Sequence, residues 1–247
     1  MSKKIVIDLT SLADNFTGFE RFALNIAEEF LKQKPEEHYI LIFKEEVYPK
    51  FKKYIDRNVE CILLPRKNKL WFYQVSLFLC LRKIDADIFL FPAFPSPFFL
   101  RKNGIFNVIH DMCSWDCPKT METKMVYYFR IMYWNVARVS QGIVTVSEFS
   151  KRRIHEILHV KLEKICVVYN GVAENLYETS EKEWKRVRKK YGLPEEYWMC
   201  LSTLEPRKNL QLLLKAYIQI CEERECPCAL VLAGRKGWKM GKILDRK

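Results

Sequence analysis

Short apolar runs alternate with longer amphipathic segments along most of the chain. The runs in the first part are four or five residues long, which is the length of a buried strand. They predict strands at 5–9, 39–43, 61–64, 87–91, 106–110 and 142–146.

The segments between these runs repeat their apolar residues at helical spacing. Within residues 18–33, Phe19, Phe22, Ala23, Ile26 and Phe30 fall on one helical face. Further helices are predicted at 71–82, 122–138 and 148–158. Because strands and helices alternate, we expect an α/β fold with a parallel sheet and right-handed crossovers.

The pattern changes near residue 173 and then restarts. A charged helix is predicted at 181–191, closed by Gly192, and it is followed by a strand at 198–203, a helix at 209–221 and a strand at 229–233. We therefore predict an N-terminal domain at 1–172, a linker and interdomain helix at 173–196, and an incomplete C-terminal domain at 197–247.

Composition narrows the class of protein. Hydrophobic residues make up 49% and charged residues 29%, which excludes a disordered chain. The formal charge of +12 favours anionic partners, although a lysine-rich solvated surface explains it equally well. The nine cysteines are expected to be ordinary thiols. No signal peptide is recognised, and the apolar stretch at 70–81 is too short to span a bilayer, so we expect a cytoplasmic protein.

Two candidate site residues follow from the first part of the pattern. Gly18 opens the first helix, where a glycine lets an anion approach the backbone N–H groups, although a plain turn glycine is the simpler interpretation. His110, followed by Asp111, closes a predicted strand at the sheet edge where ligands of open α/β sheets collect. His110 could donate to an anion or a sugar hydroxyl, or simply bond a loop carbonyl.

Two further pairs lie at strand ends. Ser147 is a natural N-cap and Glu148 complements the dipole of the helix that follows, so a structural role explains both. Asn170 and Gly171 are typical of a turn that directs the chain out of the first domain.

The pattern at 205–209 places two cations between the first strand and first helix of the second domain. Arg207 and Lys208 at a helix N-terminus would form a strong diphosphate site, whereas the alternative is a basic exposed loop.

One metal-binding motif has a simpler explanation. His155 and His159 match H-E-x-x-H, but the same residues fit the end of a surface helix. We expect no metal there, and a zinc protein remains a remote alternative.

Five segments, in order along the chain, resemble motifs of glycosyltransferase family 4. They are GFER at 18–21, VIHD at 108–111, VTVSEFSK at 144–151, VYNGV at 168–172 and TLEPRKN at 203–209. The resemblance implies a GT-B fold, with one complete Rossmann-like domain and the first β-α-β of a second, and a cleft between them.

The resemblance also implies roles for the candidates. Gly18, Arg207 and Lys208 would bind the donor diphosphate, and His110 would face the transferred sugar or the acceptor hydroxyl. The implied reaction is retaining transfer of a hexose such as mannose or glucose from a nucleotide sugar to a polysaccharide or lipid-linked glycan of the cell envelope. No cofactor or metal is expected, because cations and a helix dipole neutralise the diphosphate.

The family's E-x7-E segment, which binds the donor sugar and ribose, is not found within the 247 residues. We therefore expect the isolated chain to bind donor poorly and to transfer little sugar.

Alternatives to an enzyme remain open. The chain could be a non-catalytic module of a split glycosyltransferase, with an apolar segment at 89–100 facing the acceptor or a partner. Peripheral contact with an anionic membrane at its inner face could involve the basic residues near 71–81: Lys50, Lys52, Lys53, Arg66, Lys67 and Lys69. Nucleic-acid binding has no recognised motif, and none is expected.

Overall fold

The computed structural model describes residues 2–12, 18–65, 72–172, 180–223, 228–235 and 237. Its contacts divide the chain into two compact units. The first contains residues 1–116 and 123–170, and the second contains 117–122 and 171–247.

The first unit is built on a seven-stranded sheet in which every pair of neighbouring strands is parallel. The strand order is β3-β2-β1-β4-β5-β6-β7. The strands are β1 (Lys4–Asp8), β2 (His38–Lys44), β3 (Val59–Leu64), β4 (Ile88–Phe91), β5 (Ile105–Val108), β6 (Gly142–Thr145) and β7 (Ile165–Val167). The α/β class and the parallel sheet are thereby confirmed.

Helices connect these strands. They are α1 (Gly18–Gln33), a π-helical turn (Phe72–Ser76) continuing into α2 (Leu77–Leu81), α3 (Cys113–Asp116), α4 (Thr123–Val139) and α5 (Glu148–Leu158). Short 3₁₀ segments occur at Pro49–Tyr54, Pro118–Thr120 and Leu162–Lys164. Two strands end earlier than predicted. β5 ends at Val108, so His110 lies beyond the strand that it was expected to close. β6 ends at Thr145, one residue before the predicted end.

Both faces of the first sheet are buried, as the side-chain alternation along β1 requires. Ile5 and Ile7 pack with Ala23 and Ala27 of α1 on one face. Val6 points to the other face, where it packs with residues of the π-helical turn and α2. Each fully buried aliphatic side chain of this kind stabilises the fold by about 1.5–3 kcal/mol. Burial on both faces is typical of parallel sheets.

The second unit contains a two-stranded parallel sheet of β8 (Tyr197–Leu201) and β9 (Ala229–Ala233). The charged helix α6 (Glu181–Tyr191) precedes β8, and α7 (Leu210–Glu223) connects β8 to β9. Leu204 and Leu210 form the buried centre of this unit, with Cys200, Leu213 and Leu232 packed against them.

Two chemical expectations can be compared with the described residues. No helix among them is long and apolar enough to cross a membrane. Seven of the described cysteines are outside any disulfide, but Cys221 is disulfide-bonded, so the expectation of ordinary thiols is wrong at that position.

Candidate functional site

The carboxyl edge of the first sheet collects several of the predicted site residues. Because all strands run parallel, the residues that follow β1, β4, β5 and β6 reach the same edge. Asp8 ends β1, Pro92 follows β4, His110 follows β5 and Ser147 follows β6.

His110 is fixed at this edge by contacts from two sides. Its ring packs against Phe19 and Phe22 of α1, with ring centroids 4.7 and 4.9 Å away. On the other side, His110 Nε2 lies 2.9 Å from the carbonyl oxygen of Pro92. The His110 carbonyl also accepts a hydrogen bond from the hydroxyl of Ser150, at 3.2 Å.

These contacts decide the protonation of the imidazole. A carbonyl oxygen can only accept, so Nε2 must carry the hydrogen and donate to Pro92. Burial lowers the pKa of His110, against the opposing effects of the Pro92 carbonyl and the nearby Asp111 carboxylate, which raise it. A neutral imidazole with its hydrogen on Nε2 leaves Nδ1 as an acceptor. Nε2 thus makes the loop-carbonyl bond that was the alternative, and a ligand contact of His110 through the other ring nitrogen stays a prediction.

Gly18 lies close to His110 through the first turn of α1. It is the first residue of that helix, directly before Phe19. A Cβ added at Gly18 would meet no atom within 4 Å. Neither packing nor backbone strain therefore requires a glycine here.

Asp111 and Ser147 both hold the backbone of neighbouring helical turns. Asp111 Oδ1 accepts from the backbone N–H of Cys113 at 3.0 Å, at the start of α3. Ser147 is the N-cap of α5, with its hydroxyl accepting from Ser150 N–H at 3.1 Å. Glu148 is exposed in the first turn of α5, where its charge complements the helix dipole. The structural interpretation of Ser147 and Glu148 agrees with this geometry.

Asn170 and Gly171 do not form the predicted turn. Residues 168–172 have no turn, helix or strand assignment, and both residues are exposed. Gly171 is also absent from the described glycines with positive φ, the conformation that an Asn-Gly turn uses.

Asp8 is a candidate that the sequence interpretation missed. It is only 4% exposed, and its Oδ1 accepts from both the N–H and the hydroxyl of Thr10, at 3.1 and 2.6 Å. Burial outweighs these bonds and raises the pKa of Asp8 to about 6. A buried carboxylate with a raised pKa at the ligand edge of a sheet is typical of functional sites. The D-x-T spacing was its only sequence signal.

In the second unit, Arg207 is not the free cation that the sequence predicted. Its Nε and Nη2 atoms lie 3.0 and 2.8 Å from Oε1 of Glu205, and Glu205 is only 2% exposed. Much of the positive charge of Arg207 is therefore balanced within its own loop.

Lys208 is placed differently. Its backbone N–H donates to the Glu205 carbonyl at 3.1 Å, whereas its side chain is exposed and its amine bonds none of the described residues. The expected helix N-terminus is displaced, because Pro206–Lys208 form a 3₁₀ turn, and Asn209 adopts a left-handed conformation with φ of 50°. Helix α7 then begins at Leu210. The two cations thus precede the helix by one short turn.

The loop after β9 packs directly on the loop that carries Lys208. Leu204 N–H donates to the Arg235 carbonyl at 2.9 Å, and Gly237 N–H donates to the Leu204 carbonyl at 2.9 Å. A Cβ on Gly234 would lie 1.7 Å from the Ser202 carbonyl oxygen, so only glycine permits this approach. The packing brings the exposed Arg235 to the same edge as Lys208.

His155 and His159 do not lie on one helical face, as the H-E-x-x-H motif requires. Leu158 is the last residue of α5, and His159 is in the left-handed region with φ of 54°, so the two rings do not share a continuous helical face. His155 Nδ1 donates to the Val160 carbonyl at 2.8 Å, and the His159 ring packs near Trp134. Among the described residues, no group of three or more His, Cys, Asp or Glu side chains could hold a metal ion.

Sequence comparison gives one family match and several curated relatives. The pattern of Glycosyltransferase Family 4 matches residues 16–176, which include Gly18, His110 and Ser147. O-antigen chain mannosyltransferase B of Escherichia coli is 28% identical over 131 residues, which are 53% of this chain and 34% of that protein. Serotype-specific mannosyltransferase WbdA of E. coli is 25% identical over 96 residues, 38% of this chain and 12% of that protein. The chain thus matches about a third or less of the length of these relatives.

Comparison of folds gives matches over nearly the whole chain. Anabaena HepE, solved in complex with UDP-glucose, superposes with a TM-score of 0.65 at 15% identity, covering 97% of this chain and 62% of that one. Its complex with UDP and glucose gives a TM-score of 0.64 at 16% identity, covering 98% of this chain and 63% of that one. At this identity the likeness establishes the fold.

Proposed function

Since the chain belongs to glycosyltransferase family 4, we propose that it is part of an enzyme that transfers a hexose from a nucleotide sugar to a polysaccharide or lipid-linked glycan acceptor. The curated relatives are named as mannosyltransferases, and HepE was solved with UDP-glucose. Mannose and glucose are therefore the sugars proposed, transferred with retention of anomeric configuration. The chain matches only part of the length of these relatives, so the proposed activity is that of a whole enzyme of this kind.

The observation that carries the donor-site assignment is the exposed amine of Lys208 at the carboxyl end of β8. A nucleoside diphosphate leaves with growing negative charge on its phosphates, so a cation fixed at that position stabilises the transition state more than the bound donor. Arg235 adds a second exposed cation on the adjoining loop. Arg207 contributes less, because Glu205 balances it.

In the first unit, His110 is the proposed contact for the sugar. Its Nδ1 atom accepts a hydrogen bond from a sugar or acceptor hydroxyl, since Nε2 is used by Pro92. Its lowered pKa keeps the imidazole neutral, so the ring remains an acceptor at neutral pH. The N-terminus of α1 at Gly18, which is open to an approaching phosphate, would add backbone N–H donors.

We propose that this chemistry needs no divalent metal. Lys208 and Arg235 carry the positive charge that a metal would otherwise bring to a diphosphate. Measuring nucleotide affinity with added Mg²⁺ and with a chelator tests this directly, and an affinity that requires Mg²⁺ would contradict it.

Calorimetric titration with UDP and GDP tests the donor site. Lys208→Ala should weaken binding of the preferred nucleotide by about 10- to 100-fold, the usual loss for a charge-assisted hydrogen bond. Lys215→Ala is the matched control, because Lys215 is an exposed lysine on α7 of the same unit. Equal affinities of the wild type and Lys208→Ala would remove the assignment.

Sugar transfer is measured separately, by mass spectrometry of acceptor glycans incubated with UDP-glucose or GDP-mannose. Nucleotide binding without any transfer in the whole protein would favour the non-catalytic module instead. Transfer that survives His110→Gln unchanged would contradict the proposed role of Nδ1.

A further inference from the structure

One groove of the first unit lies away from the His110 edge. It has a volume of about 1080 Å³ and is formed by the C-terminal half of α4 and the loop that precedes β5. Arg138 and Val139 end α4 just before β6 begins, and Lys102 and Asn103 lie just before β5. In a parallel sheet these positions mark the amino ends of the strands, whereas His110 lies at the carboxyl ends. The groove is therefore separate from the proposed sugar site.

The groove presents an unusual polar atom. Asn135 is only 5% exposed and lines the groove, and its Nδ2 atom has no hydrogen-bond partner. Its Oδ1 accepts from Arg101 Nη2 at 3.3 Å. Because a guanidinium can only donate, this contact fixes the orientation of the amide and leaves Nδ2 as an unused donor. A buried donor without a partner costs stability, and Nδ2 itself is closed to solvent, so the contribution of Asn135 to the groove is to hold Arg101 through Oδ1.

Cations line the groove together with Asn135. Arg101 is held in place by the carbonyls of Phe98 and Leu100, each 2.8 Å from Nη1. Arg138 is exposed and has no hydrogen bond or ion pair among the described residues. Lys102 also lines the groove, and its amine donates to the Ile84 carbonyl at 3.0 Å. None of the lining residues is acidic. The groove therefore offers hydrogen-bond donors and positive charge, but no competing carboxylate.

The walls of the groove are apolar. Trp134 is 43% exposed and Ile131 58%, and both lie on α4 one turn apart, facing Phe98 across the groove. A tryptophan presents a large apolar face and one N–H donor, which suits a ligand that is partly apolar and partly polar.

We propose that this groove binds a phosphate group carried on an apolar body, with Arg101 and Arg138 on the phosphate and Trp134 on the apolar part. Both a lipid headgroup and a soluble sugar phosphate present a phosphate. The apolar wall favours the lipid. The basic residues near 71–81 are a weaker candidate for contact with lipid. Lys50 and Lys53 pair with the buried Glu28, at 2.6 and 3.6 Å. Residues 66–71 lie outside the described residues.

Flotation with lipid vesicles tests the lipid source. The 247-residue chain should float with phosphatidylcholine vesicles containing phosphatidylglycerol, and less with phosphatidylcholine alone. Arg138→Ala should weaken binding about fivefold, the usual loss for one basic residue at an anionic surface. Arg57→Ala is the matched control, because Arg57 is an exposed arginine that lies just before β3, at the far edge of the same sheet.

Titration with glucose 1-phosphate tests the soluble source. Binding that Arg138→Ala weakens, and that Trp134→Ala leaves intact, would assign the groove to soluble phosphates. Flotation that both variants weaken would assign it to lipid. The proposal is overturned if neither ligand binds, or if Arg57→Ala lowers binding as much as Arg138→Ala. The groove variants should leave UDP or GDP affinity unchanged, so failure here is distinguishable from failure of the donor site.

Discussion

The guanidinium of Arg207 is held by the buried carboxylate of Glu205, with Nε and Nη2 3.0 and 2.8 Å from the same oxygen. Arg207 and Lys208, which are neighbours in one basic loop of the sequence, therefore have different roles. Arg207 keeps a buried carboxylate paired, and Lys208, its neighbour, keeps its charge for a ligand.

Arg207→Ala should reduce the stability of the second unit. It leaves the Glu205 carboxylate buried without this partner, which costs about 1–2 kcal/mol once the half-exposed position of the guanidinium is allowed for. Lys208→Ala should change the unfolding free energy by less than about 0.5 kcal/mol, since its amine bonds no described residue. Urea denaturation of both variants measures the difference, and equal losses would show that the Glu205 contact adds no stability.

The contribution of Asp8 should lower the unfolding free energy of the first unit as the pH rises. Its pKa is raised to about 6 in the fold and is about 3.9 in an unfolded chain. Below pH ~4 the carboxyl is protonated in both states and costs nothing, whereas above pH ~6 the folded state holds a buried charge. The cost accumulates between these values and reaches about 3 kcal/mol.

Asp8→Asn should remove this cost while keeping an oxygen for Thr10. Its unfolding free energy should exceed that of the wild type by up to about 3 kcal/mol at pH 7.5, and the difference should vanish near pH 4. Urea denaturation across this range measures the difference, with the exposed Asp85→Asn as control. A constant difference at every pH would contradict the burial argument.

Sequence patterns predicted best the elements whose ends are fixed by local chemistry. Helices α5 and α6 have the predicted bounds because Ser147 and Ser180 cap their N-termini through hydroxyl contacts with Ser150 N–H and Glu183 N–H. Gly192 ends α6 in a left-handed conformation. Strand β7 was missed because it has only three residues and its apolar pattern is too short to distinguish from a loop.

The site was predicted less well, because its chemistry depends on burial and on contacts distant in sequence. His110 was found from its position after a strand, but its tautomer depends on Pro92, 18 residues away. The pairing of Arg207 depends on the burial of Glu205, which a charged loop sequence conceals. Asp8 and Asn135 are polar residues whose importance appears only when their surroundings are known.

Burial by α1 should control the titration of His110. Phe22→Ala removes a ring 4.9 Å from the imidazole and admits water, so the pKa of His110 should rise toward its ordinary value. Phe99→Ala, an exposed phenylalanine of the same unit, should leave it unchanged. Imidazole NMR titrations measure both, with His110→Gln identifying the resonance. An unaltered His110 pKa in Phe22→Ala would show that another group sets it.

Substitution by alanine should lower the stability of the protein at Gly234 but not at Gly18. At Gly234 a Cβ would lie 1.7 Å from the Ser202 carbonyl oxygen, with φ at 154°, so the loop after β9 must move away from the Lys208 loop. Gly234→Ala should therefore destabilise the second unit by more than about 1 kcal/mol. It should also weaken nucleotide binding, because Arg235 shifts with its loop.

Gly18→Ala provides the contrast, since a Cβ there meets no atom within 4 Å. Its unfolding free energy should change by less than about 0.5 kcal/mol. If a donor phosphate approaches the N-terminus of α1, the added methyl group obstructs it, and nucleotide affinity should fall although stability does not. Calorimetry and urea denaturation of the same preparation separate the two effects. Unchanged affinity in Gly18→Ala would remove the first helix from the donor site and leave the second unit alone to bind the diphosphate.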